Sequence, residues 1–419
     1  MFELRRFGIK LELSTIKTIL ENLGNPQEKF KSIHVAGTNG KGSIASCIST
    51  ILHMAGYKVG LYTSPHLIRF NERICINNNQ ISDEEVVDCF EAVKKANKAD
   101  REPTFFEYNT AMAFYEFASR NVDWAVIETG MGGRFDATNI ITPVISIISN
   151  ISLEHQSYLG DTLTKIAMEK GGIIKPYVPI VTGAKQESVK KELKDIAIER
   201  NAPFYCFNEN FKVKKNKDGT FDYNGIKNVW KKLRTGMLGN YQVDNTALVL
   251  ALCELLKETG TNIPFESIKE GLEKNKWPGR LEVIRQNPFI ILDGAHNLDG
   301  SKNLAKFLQK NLANKGITLV VGILDDKPYE SMLKALLPVC KRVIITQAKN
   351  DRSLPTQKLY GIAVNLIKDI TIEPDVDKAL KYAIETVSND EAICVSGSLY
   401  VIGEAKAYFG GIKNITPNA

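Results

Sequence analysis

The chain has 419 residues, more than one hydrophobic core usually organises, so two domains are expected. With 43% hydrophobic and 24% charged residues it has the composition of a globular protein, and no apolar run approaches the roughly 18–20 residues of a membrane span. A net charge of +6 is too mild for a nucleic-acid footprint and suits solubility and small anionic substrates equally well. The opening stretch MFELRRFGIKLELS has neither the long apolar core nor the small-residue cleavage site of a secretory leader. Seven cysteines, scattered without metal-site spacing, read as reduced thiols of a cytoplasmic protein.

In chain order, KSIHVA (31–36) is a predicted strand. SIASCISTILHMAG (43–56) is a predicted helix, with Ile44, Ile48, Ile51 and Leu52 on its apolar side. YKVGLYT (57–63) is the next strand, and helices follow over about 82–98 and 105–120. DWAVIE (123–128) and PVISIISN (143–150) read as buried strands. This alternation predicts an α/β fold, a parallel sheet with helices on both faces. VPIVTG, a helix over 187–200 and PFYCF continue it. ENFKVKKNKDGTFDYNG (209–225) is Lys-rich with an Asp-Gly turn and reads as a solvated β-hairpin. Helices over 240–258 and near 265–275 lead to NKWPGRLEVIRQNPF, whose prolines and glycine mark the expected boundary between a domain of residues 1–284 and a smaller one of residues 285–419. In the latter, FIILDGAHN, ITLVVGIL, RVIITQ, DITIEP and AICVSGS alternate with helices, a second parallel α/β unit.

GTNGKGS (37–43) lies between a predicted strand and a predicted helix, the context of a phosphate loop. Lys41 would meet the β- and γ-phosphates. The loop departs from the standard spelling: Gly37 stands two residues before Gly40, and Gly42 follows Lys41 where a metal-binding hydroxyl is usual, with Ser43 one position late. Ser64, held extended by Pro65 at the end of the next strand, can supply the missing hydroxyl. Glu128 ends a buried strand, and a carboxylate there needs a partner such as a divalent cation. In the glycine-rich segment after it, Arg134 and Asp136 read equally well as ligand contacts or as a structural ion pair. His155 lies in a polar loop on the same sheet edge, which favours a metal ligand over a core histidine. No pattern singles out Lys170, at the end of TKIAMEK. Arg280 sits at the domain junction. Asp293 and His296 follow the first strand of the second domain, and Ser396 and Ser398 follow its last.

Together HVAGTNGKGS, SPHL, ERI, FFEYNTAMAF, ETGMGGRFDATN, SLEHQSYLGDTLTKIAMEKGGIIKP, WPGRLE, DGAHN and SGSLYVIGE resemble the folylpolyglutamate synthases, including their bifunctional dihydrofolate synthase members, a branch of the Mur ligases. The resemblance runs from about residue 30 to about residue 405. It implies a Mur-type P-loop ATPase and folate-binding domain followed by a Rossmann-like glutamate-ligase domain. It implies an ATP-dependent ligase that adds L-glutamate to reduced folates and, in bifunctional members, to dihydropteroate. By that resemblance Asn39, Gly40, Lys41, Gly42 and Ser43 fall on the phosphate loop, and Asn245, Arg280 and Asp293 on ATP contacts. Ser64 and Glu128 fall on ligands of one Mg²⁺ and His155 on a second. Lys170 falls on the lysine that becomes a carbamate, turning a cation into an anion able to serve a metal. Thr104, Phe105, Phe106 and Glu107, with Phe135, Asp136 and Ala137, fall on the segments that hold the pterin or pteroate. His296 and Ser398 fall in motifs that place nucleotide or incoming glutamate. A monomer acting on small molecules, without nucleic acid or membrane, is the expectation. Two other readings remain: a Mur-type ligase of cell-wall precursors, and a P-loop ATPase or kinase or a degenerate nucleotide-binding module without turnover. Gly42 and SPHL favour folate over a muropeptide.

Overall fold

The computed structural model describes residues 12–411. Most of the opening stretch judged to lack a secretory leader lies outside the described residues.

The first sheet has eight strands: β1 (Lys31–Ala36), β2 (Val59–Tyr62), β3 (Ile74–Ile76), β4 (Asn79–Gln80), β5 (Trp124–Glu128), β6 (Ile145–Ile148), β7 (Ile180–Thr182) and β8 (Phe204–Cys206). Their order is β4-β3-β2-β5-β1-β6-β7-β8. The six from β2 to β8 are parallel, and helices cover both faces, so most of their residues are buried. Ile33 and Val35 of β1 pack with helix Lys41–Met54 on one face, while His34 points to the other. The sheet is not purely parallel as expected. β3 runs antiparallel to β2, and β4 to β3, around Asn77 and Asn78 at φ 51° and 63°. Two adjacent asparagines tolerate that left-handed turn, and the strands it joins are too short to show a period.

The Lys-rich segment is also more than a solvated hairpin. β9 (Lys212–Lys215) and β10 (Phe221–Asn224) are joined by a third strand, β11 (Val229–Leu233), in an antiparallel sheet. Phe221, Tyr223 and Leu233 are buried, and buried Glu254 of helix Asn240–Glu258 accepts from the Tyr223 hydroxyl and from the amides of Ile226, Lys227 and Asn228.

The second sheet comprises β12 (Glu282–Gln286), β13 (Phe289–Leu292), β14 (Ile317–Val321), β15 (Arg342–Ile345), β16 (Ile370–Ile372) and β17 (Ala392–Ser396), in the order β12-β13-β17-β14-β15-β16. β12 is antiparallel to β13, and the other pairs are parallel. Because β12 straddles residue 284, we propose the division just ahead of Glu282 rather than after 284.

In a parallel sheet the loops after the strands gather on one edge. In the first sheet these are the loops after β2, β5, β1 and β6. In the second they are the loops after β13, β17, β14 and β15. The two edges face each other across a cleft of about 550 Å³ lined by residues of both domains.

Candidate active site

The loop after β1 turns through Gly40, at φ 91°, into helix Lys41–Met54. Its backbone is tied to the loop after β6: the Thr38 amide donates to the Asn150 carbonyl at 2.8 Å, the Asn39 amide to Asn150 Oδ1 at 2.9 Å, and Ser149 Oγ to the Asn39 carbonyl at 2.7 Å. Gly42 has a direct explanation. A Cβ there would come within 2.9 Å of the Trp277 indole, so a hydroxyl-bearing side chain would have to displace that ring. Ser43 is turned away: its hydroxyl is buried and accepts from Gln242 Nε2 at 3.3 Å. Gln242 Oε1 in turn accepts from Asn245 Nδ2 at 2.9 Å, setting Asn245 against the loop beside Gly40.

Glu128 ends β5 beneath this loop, buried, and its Oε2 accepts from the Ser64 amide at 3.1 Å. Burial pushes its carboxyl up to about 7, opposed by the charges of Lys41, Arg280 and Arg73 and by the Ser64 bond. A cation bound here would favour the ionised form that burial disfavours, so the donor set fits one. Lys170, near the end of helix Leu163–Gly171, is buried and donates to the Gly37 carbonyl at 2.8 Å. Burial first, and then the charge of Lys41, lower its ammonium to about 7. A buried lysine so disposed toward its neutral amine is a nucleophile able to take up CO₂. His155 adopts a left-handed backbone at φ 50°, and burial holds its imidazole down to about 4, the neutral form that ligates metals. Among the described residues no three His, Cys, Asp or Glu side chains converge on one point. The candidate ligands therefore fall into two groups, Ser64 with Glu128 and His155 with Lys170.

Arg134 and Asp136 do not pair, which removes that reading. Arg134 binds Glu169 at 2.5 Å and stacks on Phe135 at 4.7 Å, whereas buried Asp136 accepts from the Met131 and Thr138 amides. Thr104 and Glu107 form a capping box at the start of helix Phe105–Ser119, and Arg101 grips Glu107 through two bonds of 2.9 and 2.7 Å. Phe105 is packed against Phe70, and Phe106 leans on Gly130 and toward Tyr62. Thr104, Phe105, Phe106 and Glu107, with Phe135, Asp136 and Ala137, line the cleft.

At the domain junction Arg280 donates to the Gly294 carbonyl at 2.9 Å, and in the second domain Asp293 accepts from the Leu281 and Ala295 amides. The Ser398 oxygen caps helix Leu399–Gly410 through the Val401 amide, leaving its proton to donate. His296 meets the Gly294 carbonyl at 2.8 Å and, across the cleft, Glu154 Oε1 at 3.1 Å. Glu154 also holds Lys327 at 3.5 Å. Burial opposes its ionisation, but the His296 bond first and then the charge of Lys327 keep its carboxyl well below the usual range. Asn297 Nδ2 donates to Asn39 Oδ1 at 2.8 Å, and Ser152 is bonded to Asp299. Glu154, Lys327, Arg73 and Arg352 line the cleft but were not singled out from sequence. Their signal was position after a parallel strand, which Glu154 and Lys327 share with the residues that were.

A model of the Mur ligase middle domain matches residues 35–253, and one of the Mur ligase glutamate ligase domain matches residues 279–399. Fold and site thus define a Mur-type ligase. The chain is 36% identical over 412 residues to the dihydrofolate synthase/folylpolyglutamate synthase of Bacillus subtilis, covering 96% of this chain and 95% of that one. It is 37% identical to the crystal structure of folylpolyglutamate synthase from Thermotoga maritima, with a TM-score of 0.86 and coverage of 98% and 97%. A bifunctional folylpolyglutamate synthase/dihydrofolate synthase solved with Mn, AMPPNP and L-glutamate bound superposes with a TM-score of 0.89 at 28% identity, covering 98% and 97%. The chain belongs to the dihydrofolate synthase/folylpolyglutamate synthase family.

Proposed function

We propose that this chain is an ATP-dependent ligase that joins L-glutamate to the γ-carboxyl of a reduced folate's glutamyl tail, and to dihydropteroate as a second acceptor. The observation that carries this is the phosphate loop with Lys41 facing buried Glu128 in one cleft shared by both domains. The relatives' names and the bound Mn, AMPPNP and L-glutamate of the structural neighbour support it.

A carboxylate cannot expel oxide, so it is first phosphorylated. A carboxylate oxygen attacks the γ-phosphorus, the bond to the β-phosphate oxygen breaks and ADP leaves, giving an acyl phosphate. The free glutamate amine then attacks the acyl carbon, the nitrogen gives up a proton, and the tetrahedral intermediate collapses as phosphate departs with the original carboxylate oxygen and takes up that proton. Asn39 to Gly42 offer backbone amides to the phosphates, and Lys41 neutralises charge on the transferred group. Asn245, Arg280 and Asp293 orient the nucleotide. Phe106, Phe135 and Asp136 hold the pterin end. Ser64 and Glu128 would hold one Mg²⁺, and His155 with carbamylated Lys170 a second, which when bound neutralise the transferring phosphoryl group. Docking of the second domain keeps water from the acyl phosphate. The reading places a monomer in the cytoplasm, without nucleic acid: all seven cysteines are free thiols, and among the described residues no helix is long and apolar enough to cross a membrane.

The test is ADP release. It should require both L-glutamate and a reduced folate. Release with a UDP-linked muropeptide instead would favour a cell-wall ligase, and release with neither acceptor an ATPase.

A further inference from the structure

A buried polar chain runs from the first strand to the lining of the cleft. Asp136 is held by donors from its own loop, among them the Met131 amide at 2.8 Å, the Thr138 amide at 3.1 Å and the Thr138 hydroxyl. The Thr138 oxygen also lies 2.8 Å from Nε2 of His34, in the middle of β1. All three residues are buried, and Asp136 alone lines the cleft.

The proton count assigns each bond. A hydroxyl has one proton, and the Thr138 hydroxyl gives it to the Asp136 carboxylate. Its oxygen must therefore accept from His34, which fixes the Nε2–H tautomer. His34 Nδ1 has no hydrogen-bond partner among the described residues and needs no proton in this arrangement. Burial, with the charge of Lys175, holds the imidazole down to about 3, so the ring is neutral and has a single N–H to give. His34 is anchored by strand pairing on both sides, to β5 and to β6. The chain thus transmits the rigidity of the central sheet to a carboxylate carried on a glycine-rich loop.

We propose that Thr138 and His34 are positioning residues for the acceptor substrate: His34 fixes the Thr138 hydroxyl, Thr138 fixes Asp136, and Asp136 accepts from the N–H edge of the bound pterin. A pterin presents N–H donors along that edge, and Oδ2 of Asp136, which takes the Met131 amide, has room for one of them. The inference rests on the folate reading above. It adds two residues that touch neither substrate nor nucleotide.

Thr138→Val removes the hydroxyl at nearly constant volume, and Thr138→Ser keeps it. In steady-state ligation, Thr138→Val should raise KM for the reduced folate by about tenfold, the scale of one hydrogen bond to a charged group. KM for ATP should stay within about twofold, because the phosphate loop does not depend on Thr138 for a bond. Thr138→Ser should restore the parent folate KM. A folate KM in Thr138→Val equal to that of Thr138→Ser, or an ATP KM raised as much as the folate KM, would overturn the proposal. If Thr138→Val does not fold, His34→Leu decides: an unchanged folate KM there also overturns it. Asp136→Ala separates the two layers. If it raises the folate KM while Thr138→Val does not, the positioning claim fails and the folate reading stands. If Asp136→Ala leaves the folate KM unchanged, the pterin placement itself fails.

Discussion

On the first sheet's edge the reactive groups are held by their own domain: Glu128 by the Ser64 amide, Lys170 by the Gly37 carbonyl, Asp136 by its loop and Thr138. On the second sheet's edge, several groups take their partners from across the cleft. His296 and Lys327 share Glu154, Asn297 bonds Asn39, and Asp299 bonds Ser152. Glu128, Lys170 and Asp136 thus draw their hydrogen bonds from within the first domain, while the bonds of His296 to Glu154, Asn297 to Asn39 and Asp299 to Ser152 form only across the cleft. That division suits a two-stage reaction in which nucleotide and acceptor are aligned on a rigid platform and the second domain then seals the reactive intermediate.

The largest expected effect tests the rigid edge. Lys41→Ala should lower kcat by at least about 10²–10³-fold, as for the loss of one preorganised charge donor, without changing the scattering dimensions of the free enzyme. Near-normal ligation in that variant would remove the phosphate loop from the mechanism. Lys170 gives a pH test. Its ammonium is lowered to about 7, so the amine is mostly protonated below pH 7 and mostly free above it. Enzyme stripped of CO₂ at pH 6 should regain activity faster at pH 8 than at pH 6 when both are given the same concentration of dissolved CO₂, because only the free amine attacks it. An equal rate at both would contradict carbamylation of this lysine. The docked edge should respond more gently. Glu154→Gln keeps a hydrogen-bonding side chain but removes the charge that gathers His296 and Lys327, and should lower kcat by about tenfold with ATP-analogue affinity nearly unchanged. Small-angle scattering should then show weaker compaction with ATP analogue plus folate. Compaction and kcat both equal to the parent's would mean that Glu154 does not hold the domains. The smallest effect belongs to Ser398→Ala, which loses a helix cap and should cost about 1 kcal/mol in urea unfolding.

Much of this was legible from sequence because parallel strands and their following loops are local features. β1, β5 and β6 are short runs rich in β-branched residues, and the glycine-rich turns after β1 and β5 mark the ligand edge before any contact is known. What escaped depends on residues far apart. Gly42 reads as a missing hydroxyl until Trp277 is seen against it, and Lys170 has nothing to distinguish it until burial brings it to Gly37. Glu154 stood in view beside His155, but its partners lie in the other domain. The β3–β4 hairpin and β11 were missed for a different reason: two- to five-residue strands are set by turn chemistry and by Glu254, which no periodicity reports.

The central claim is that ATP activates the acceptor carboxylate as an acyl phosphate in this cleft. Folate labelled with ¹⁸O in its γ-carboxyl, turned over with ATP and L-glutamate, should yield inorganic phosphate carrying one ¹⁸O and an amide keeping the other. Unlabelled phosphate accompanying full ligation would contradict the account.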